Sequence, residues 1–514
     1  MPILDDRNQQ WPPPSWAENA KLITEARAWL TGDIAAAIGS TSAEKTSEGW
    51  RRRLANMLRR NNQTGGVTRG PDQHVPFARL VAQTSAALLF GGPPLWTVPG
   101  AHVGDVDGDG QPEAPTAEQQ ALIDAQDRLL ALSEADGWIS KLHQAAYVSS
   151  GLGGVVLRPV WGDTMMRPTL TVVHHDRIIP TFQWGRLVEA ILWRDVEVEV
   201  SGKIWRHLEV HTPGKVQHSL WYGDSSRLGE RKGLGDHIST KGLIGADNDG
   251  TIDLVPIIGP DALLVDYVPN QLPHPVTLSP DIGGSDTAGL EGRMVALDEA
   301  ASGWSSDVRV GRSRLMIPEQ FLIHGPEGAA FDADQELFTP IRTSALDTDQ
   351  KIEVVQFDIR ADSFAASKSD LMNELSLASG YNPESVLWAN TGTQMTATEV
   401  LSRDAKSRDT TNSKRSYFAP AMAAMAHKML QIEAAVYQSP ITPVLPTIGW
   451  PEVDQVDDSA VAATINVLSV AGAISTEEKV RTRRPEWTDP EVAAEVARIR
   501  AEQGVTVEDP TGRF

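Results

Sequence analysis

Between Ser285 and Val310, the residues Leu290, Met294, Leu297, Ala301, Trp304 and Val308 recur at spacings of four, three, four, three and four. Such a heptad stripe does not fit a strand. It lays one apolar seam along a helix that packs lengthwise on another helix. A second stripe, Phe364, Leu371, Leu375 and Ala378, lies in Ile359–Ser379. Between the two sits an insert, Gly311–Phe357, in which Arg314–Ile317, Gln320–His324 and Lys351–Phe357 read as strands. A helix going out, a small β-containing module and a helix coming back make a projecting arm. At about 1.5 Å per residue the outgoing helix is roughly 35 Å long. The remaining sequence has to supply the body that holds it.

That body begins helical. After the extended entry Trp11-Pro12-Pro13-Pro14, helix-period apolar residues run through Ala17–Ile38, Glu48–Arg60 and Val75–Phe90. Gly91-Gly92-Pro93-Pro94 stops the third helix. Thr116 and Gln119 form a capping box, and Asp136 can cap a further helix through Ser149. From Gly151 the period changes to two. Val155–Trp161, Thr169–Val173, Leu187–Val200, Lys203–Thr212 and Lys215–Tyr222 read as strands, and the Ser201-Gly202 and Pro213-Gly214 breaks suggest an antiparallel meander. The Gly/Pro-rich stretch that follows, to about Pro280, shows only short strands.

Beyond Tyr381-Asn382-Pro383 comes a polar loop, then Thr396 and Glu399 form a capping box opening a very long helix to Tyr437. Its first half is polar all round, the pattern of a helix that bridges other bodies. Pro420 is expected to kink or interrupt it. Near the C-terminus, Ser459 opens a helix over Ala460–Ala471 with Gly472 as its cap. Ser475 and Glu478 form a further capping box, and Asp489-Pro490 starts the last helix. No internal repeat is evident.

The chain has 514 residues, a formal charge of −22 and no cysteine, which excludes disulfides, thiolate zinc sites and thiol nucleophiles. That charge also argues against wrapping nucleic acid by counterion release. The N-terminus has neither the basic nor the apolar region of a secretory signal, and PFARLVAQTSAALLF is too short and polar to span a bilayer. A soluble protein made in the cytoplasm is expected.

Motifs for chemistry are sparse. Asp105, Asp107 and Asp109 match the first half of a calcium loop, but Thr116 stands where a bidentate Glu belongs. An acidic solvated loop is the preferred reading, with Ca²⁺ the only cofactor candidate. His174-His175-Asp176 and the His207/His211 pair resemble metal-ligand clusters. No third ligand is evident for the pair, so hydrogen-bonded or exposed sheet positions are preferred. Arg51, Arg52, Arg53, Arg59 and Arg60 read as a solvated helix face. With no phosphate loop, nucleophile elbow or zincin motif, the chain is expected not to be an enzyme, and it is not a P-loop translocase.

Several runs together resemble portal proteins, the head-to-tail connectors of tailed double-stranded DNA phages. They are His74-Val-Pro-Phe-Ala-Arg with Ser85-Ala-Ala-Leu-Leu-Phe-Gly, Asp176-Arg-x-Ile-Pro with Phe182-x-Trp-Gly-Arg-Leu, and Trp205-Arg-His-Leu-Glu-Val-His. Gly289-Leu-Glu-Gly, Leu297-Asp-Glu-Ala, Arg312-Ser-Arg-Leu-Met-Ile-Pro-Glu and, above all, Ser379-Gly-Tyr-Asn-Pro-Glu with Thr396-Ala-Thr-Glu-Val complete the order. The resemblance covers nearly the whole chain. It implies an α+β portal fold: a mainly helical wing, stem helices, a small α/β clip and a helical crown, assembling as a ring, usually of twelve subunits.

On that resemblance, residues 1–284 and 397–438 form the wing, 285–310 and 358–380 the stem helices, 311–357 the clip, and 439–514 the crown. Residues 381–396 form a tunnel loop in which Trp388, Asn390, Thr391, Thr393 and Gln394 face DNA, with Trp388 preferably packing the loop onto the stem. Leu290, Met294, Leu297, Trp304, Phe364, Leu371 and Leu375 pack the stem. The implied partners are further copies of the chain, double-stranded DNA in the channel, the terminase large subunit, a head-tail connector or adaptor, and the major capsid and scaffolding proteins. The implied place is the portal vertex of the virion capsid, after assembly in the host cytoplasm. A ring of twelve would carry about 260 negative charges, a field that repels DNA from the channel wall. Two other readings stay open: a different virion structural protein, scaffold-associated or from the tail, and a metal-dependent hydrolase.

Overall fold

The computed structural model describes residues 9–33, 73–101, 115–162, 165–243, 250–310, 361–387 and 397–450, with strand pieces inside 314–355 and helical residues inside 465–499. It combines helices with antiparallel sheets and divides into two compact units, 1–389 with 406–449 and 390–405 with 450–514.

In the first unit, α1 (Ala17–Thr31) is shorter than its apolar pattern suggests. Gly32 takes φ 82 and its N–H bonds Ala28 O at 2.9 Å, which ends the helix. Helix α2 (Phe77–Phe90) follows, and α3 (Ala117–Ala135) opens on the expected capping box: Gln119 N–H donates to Thr116 Oγ1 and Thr116 N–H to Gln119 Oε1. Helix α4 (Trp138–Leu152) is not capped by Asp136. Gly137 holds the N-cap position at φ 62. The Asp136 carboxylate instead accepts from Trp138 Nε1, Lys141 Nζ and Leu170 N, the last of these tying the helix start to a strand.

That strand is β3 (Thr169–His174), which pairs with β2 (Gly154–Val160), and β2 pairs in turn with β10 (Asp266–Pro269). The meander is also present: β4 (Ile178–Gln183), β5 (Arg186–Val198), β6 (Ile204–Thr212), β7 (Lys215–Gly223) and β8 (Glu230–Lys232) pair in sequence order, all antiparallel. The β5–β6 and β6–β7 turns fall at the two breaks read from the sequence. β9 (Thr251–Asp253) pairs with the other half of the β7 edge. β4 escapes the alternation pattern because Pro180 lies inside it, a residue tolerated at the outer edge of a sheet.

The outgoing helix is α5 (Glu291–Val310) and the returning one α6 (Ala361–Ala378). Within the insert, β11 (Arg314–Met316) pairs with β14 (Glu353–Val355), and β12 (Ile323–Gly325) with β13 (Gly328–Ala330); β11, β12 and β14 overlap the expected strand pieces, and β13 lies outside them. After α6, the segment read as a polar loop begins with a short helix, α7 (Pro383–Leu387). Helix α8 (Ala397–Ala435) runs on as one helix through Pro420, without the interruption expected. A two-stranded sheet of β1 (Leu95–Thr97) and β15 (Thr447–Gly449) closes this unit.

In the second unit, Ser475 Oγ accepts Glu478 N–H at the start of α9 (Thr476–Arg483), half of the expected box. Val480, Val492 and Val496 make a small core there. Glu48–Arg60 with its arginines, the Asp105–Asp109 loop and the Thr396 cap all lie outside the described residues. Among those described, no helix is long and apolar enough to cross a membrane.

Candidate functional site

Trp29 of α1, Phe77 and Val81 of α2, Met294, Val295 and Leu297 of α5, Met372 and Leu375 of α6, and Tyr381 and Val386 form one buried cluster. Leu290 and Leu371 pack against it. The helices α5 and α6 are antiparallel: Arg293 pairs with Glu374, and ten residues further out Gly303 faces the Phe364 ring. A Cβ at Gly303 would stand 3.0 Å from that ring, so glycine lets the two helices approach.

The heptad stripe does not continue as a uniform seam. Met294, Leu297 and Ala301 are buried, whereas Trp304 is 44% and Val308 38% exposed. The inner half is surrounded by α1, α2 and α7, while among the described residues the outer half has α6 beside it. Val295, off the stripe, is 1% exposed for the same reason. In α6 the burial falls on Met372 and Leu375, and Ala378 is exposed.

A buried polar hub sits where the arm joins the body. Asp286, just before α5, accepts from Ser150 Oγ of α4 (2.5 Å), Tyr381 OH (3.1 Å), Asn270 Nδ2 (2.8 Å) and Lys414 Nζ of α8 (2.6 Å). Lys414 also donates to Ser85 Oγ of α2 at 2.7 Å. Burial lowers the Lys414 ammonium below its usual range, and burial with the neighbouring Asp286 charge raises the Tyr381 phenol.

The first half of α8 is therefore not a bridging helix exposed all round. Ser407, Thr411, Lys414 and Phe418, spaced four, three and four, are buried on one face. Ser407 Oγ accepts Asn382 N–H, and Phe418 meets Phe90 edge-on at 5.4 Å. This explains the Ser379-Gly-Tyr-Asn-Pro-Glu run. Gly380 turns at φ 93, Tyr381 enters the core and the hub, and Asn382 docks on α8. Trp388, Asn390, Thr391, Thr393 and Gln394 lie outside the described residues.

A second constellation lies on the meander. His207, Glu209 and His211 alternate along one face of β6, and His218 stands opposite Glu209 on β7. His207 Nε2 is 3.1 Å from His218 Nδ1. Glu209 Oε2 takes Arg158 and, at 3.4 Å, His211 Nε2, while Oε1 has His207 Nδ1 at 4.0 Å. These groups line a cavity of about 500 Å³ that is walled also by Trp161, Val172 and Leu192. Burial pushes His207 down to about 4 and lowers His211 and His218 as well. Burial works to raise the Glu209 carboxyl. The His211 hydrogen bond and the Arg158 charge outweigh it and hold Glu209 well below the usual carboxylate range.

His211 is thus hydrogen-bonded, as the sequence suggested. The sequence reading missed Glu209 and His218, which join the pair only through strand register. His175 is unrelated to this cluster. It is fully buried, with Nδ1 2.8 Å from Leu152 O and Nε2 3.2 Å from Tyr267 OH, and Asp176 pairs with Arg27 at 2.6 Å.

No family model matches the chain, and no curated protein matches it. Among solved structures, a chain from the neck of a native GTA particle computed with C12 symmetry is similar over 82% of this chain and 88% of its own. Its TM-score is 0.40 and its identity 13%. A chain from the neck of an empty GTA particle computed with C6 symmetry is similar over 79% and 88%, with a TM-score of 0.36 and 14% identity.

Proposed function

We propose that this chain is a portal-type subunit of a phage-like particle: a ring component through which double-stranded DNA passes at the capsid vertex, and a docking platform for the packaging motor and neck proteins. The observation that carries the reading is the two-part arm. Its inner half is locked into the body by an apolar core and the Asp286–Lys414 hub, and its outer half leaves Trp304 and Val308 partly exposed. An exposed stripe on a helix otherwise built for lengthwise packing fits a neighbouring copy's helix pair. Closed rings follow when each copy meets the next in the same way.

The proposed mechanism is passive. Residues 285–310 and 358–380 are the stem, 311–357 the clip where partners dock, 381–396 the tunnel loop and 439–514 the crown. The net charge of −22 per chain supplies repulsion toward DNA, screened over about 8–10 Å by salt, so that the duplex slides without being gripped. The reading assigns the chain no catalysis. Negative-stain microscopy of the purified protein tests it. Rings with a central hole are expected, and a monomer or an open filament at high protein concentration overturns it.

A further inference from the structure

We propose that His207, Glu209 and His218 form a binding site for a divalent transition-metal ion of the zinc class, with its open coordination position facing the cavity. The inference is independent of the portal reading. One donor atom from each residue lies within 4.8 Å of the others, and no ion is needed to bring them there. Two imidazole nitrogens bound at about 2.0–2.1 Å to a tetrahedral zinc stand roughly 3.3 Å apart. His207 Nε2 and His218 Nδ1 stand 3.1 Å apart.

The carboxylate is divided in a way that suits a ligand. Arg158 and His211 both engage Oε2, which orients the group, and neither occupies Oε1. Metal-ligating carboxylates are commonly held in this fashion by a second layer of hydrogen bonds. Arg158 is a cation held on Glu209 Oε2 and opposes a second positive charge at the site. His207 Nδ1 and His211 Nδ1 are buried without hydrogen-bond partners, so the cluster's own hydrogen bonds leave two of its nitrogens unsatisfied. Two imidazoles and one carboxylate favour zinc and its neighbours over Ca²⁺ or Mg²⁺, which take oxygen ligands. The cavity offers an entry path and room for water or a small ligand at the fourth position.

The test uses the full chain, stripped with EDTA and titrated with Zn²⁺ by calorimetry, alongside loading with Co²⁺ followed by visible spectroscopy. One zinc per chain and the intense visible bands of four-coordinate cobalt are expected. Glu209→Gln and His218→Gln, each checked for wild-type circular dichroism, should weaken zinc binding at least tenfold. His143→Ala, an exposed histidine elsewhere, should leave it unchanged. No zinc uptake by the wild-type chain, only the pale spectrum of octahedral cobalt, or wild-type affinity in both glutamine variants overturns the proposal. The wild-type measurements decide the matter even where a variant fails to fold.

Discussion

Lys414 Nζ lies 2.6 Å from Asp286 Oδ2, with side chains 6% and 3% exposed, and the pair joins residues 128 apart in the chain. Burying two charges costs several kcal/mol of desolvation per ion, which attraction offsets only where the remaining donors and acceptors are also satisfied. Here Ser85, Ser150, Asn270 and Tyr381 complete the shell. The hub therefore fixes one geometry between α2, α4, α8 and the start of the arm.

The losses from removing each partner should not add when both are removed. Lys414→Met leaves the Asp286 carboxylate buried and uncompensated, an expected loss of about 3–5 kcal/mol. The double variant Lys414→Met with Asp286→Asn should lose clearly less than the two single losses added together. Urea unfolding of the four proteins measures this. A Lys414→Met loss within about 0.5 kcal/mol would show that the pair does not anchor the arm.

His175 makes stability fall with acid. Burial pushes its folded-state value to about 4 against an ordinary 6.5, the Leu152 hydrogen bond opposing this only in part. The unfolded chain then binds the proton more readily between those values, so stability is intact above about pH 6.5 and declines until about pH 4. The gap is worth about 3 kcal/mol. His175→Gln retains an acceptor for Tyr267 and a donor for Leu152 but does not titrate. Its unfolding free energy should fall by about 3 kcal/mol less than that of the wild type between pH 7 and pH 4. Parallel curves would contradict the assignment.

The arm was legible in the sequence because its signal is local: heptad spacing out, heptad spacing back, period-two pieces between. The hub was not. Ser407, Thr411 and Lys414 share a helical face, yet polar residues on a face look solvated until their partners, Ser85, Asp286 and Asn382, arrive from distant segments. The histidine cluster was half visible for the same reason. His207, Glu209 and His211 can be read off β6 alone, but His218 enters through the β6–β7 register. The stripe also overstated burial, since periodicity marks which face is apolar and cannot say how far along the helix something covers it.

Two residues seven apart on α5 should therefore respond oppositely. Leu297 is fully buried in the common core, so Leu297→Ala should cost about 2–5 kcal/mol in unfolding free energy. Trp304, 44% exposed, should be replaceable by Ser within about 0.5 kcal/mol, while the proposed ring should dissociate at higher protein concentration than that of the wild type. Denaturation of dilute protein paired with sedimentation velocity separates the effects. Unchanged assembly in Trp304→Ser would remove that residue from the proposed interface between copies.

Gly380 ends α6 at φ 93, and an added Cβ would stand 2.8 Å from Thr410 Oγ1 of α8, the hydroxyl that donates to Gly380 O at 2.6 Å. Two separable costs follow for Gly380→Ala. The backbone conformation alone disfavours an L side chain by about 1–2 kcal/mol. The contact adds to this by forcing the Thr410 hydroxyl away, breaking a part-buried hydrogen bond worth about 1 kcal/mol. Together the loss should reach about 2–3 kcal/mol. In a Thr410→Ala background, where hydroxyl and bond are already absent, the same substitution should cost only the backbone share. Chemical denaturation of the two single variants and the double variant reads the difference directly. Equal costs in both backgrounds would mean that Thr410 yields freely, and that Gly380 is required for its backbone angle alone.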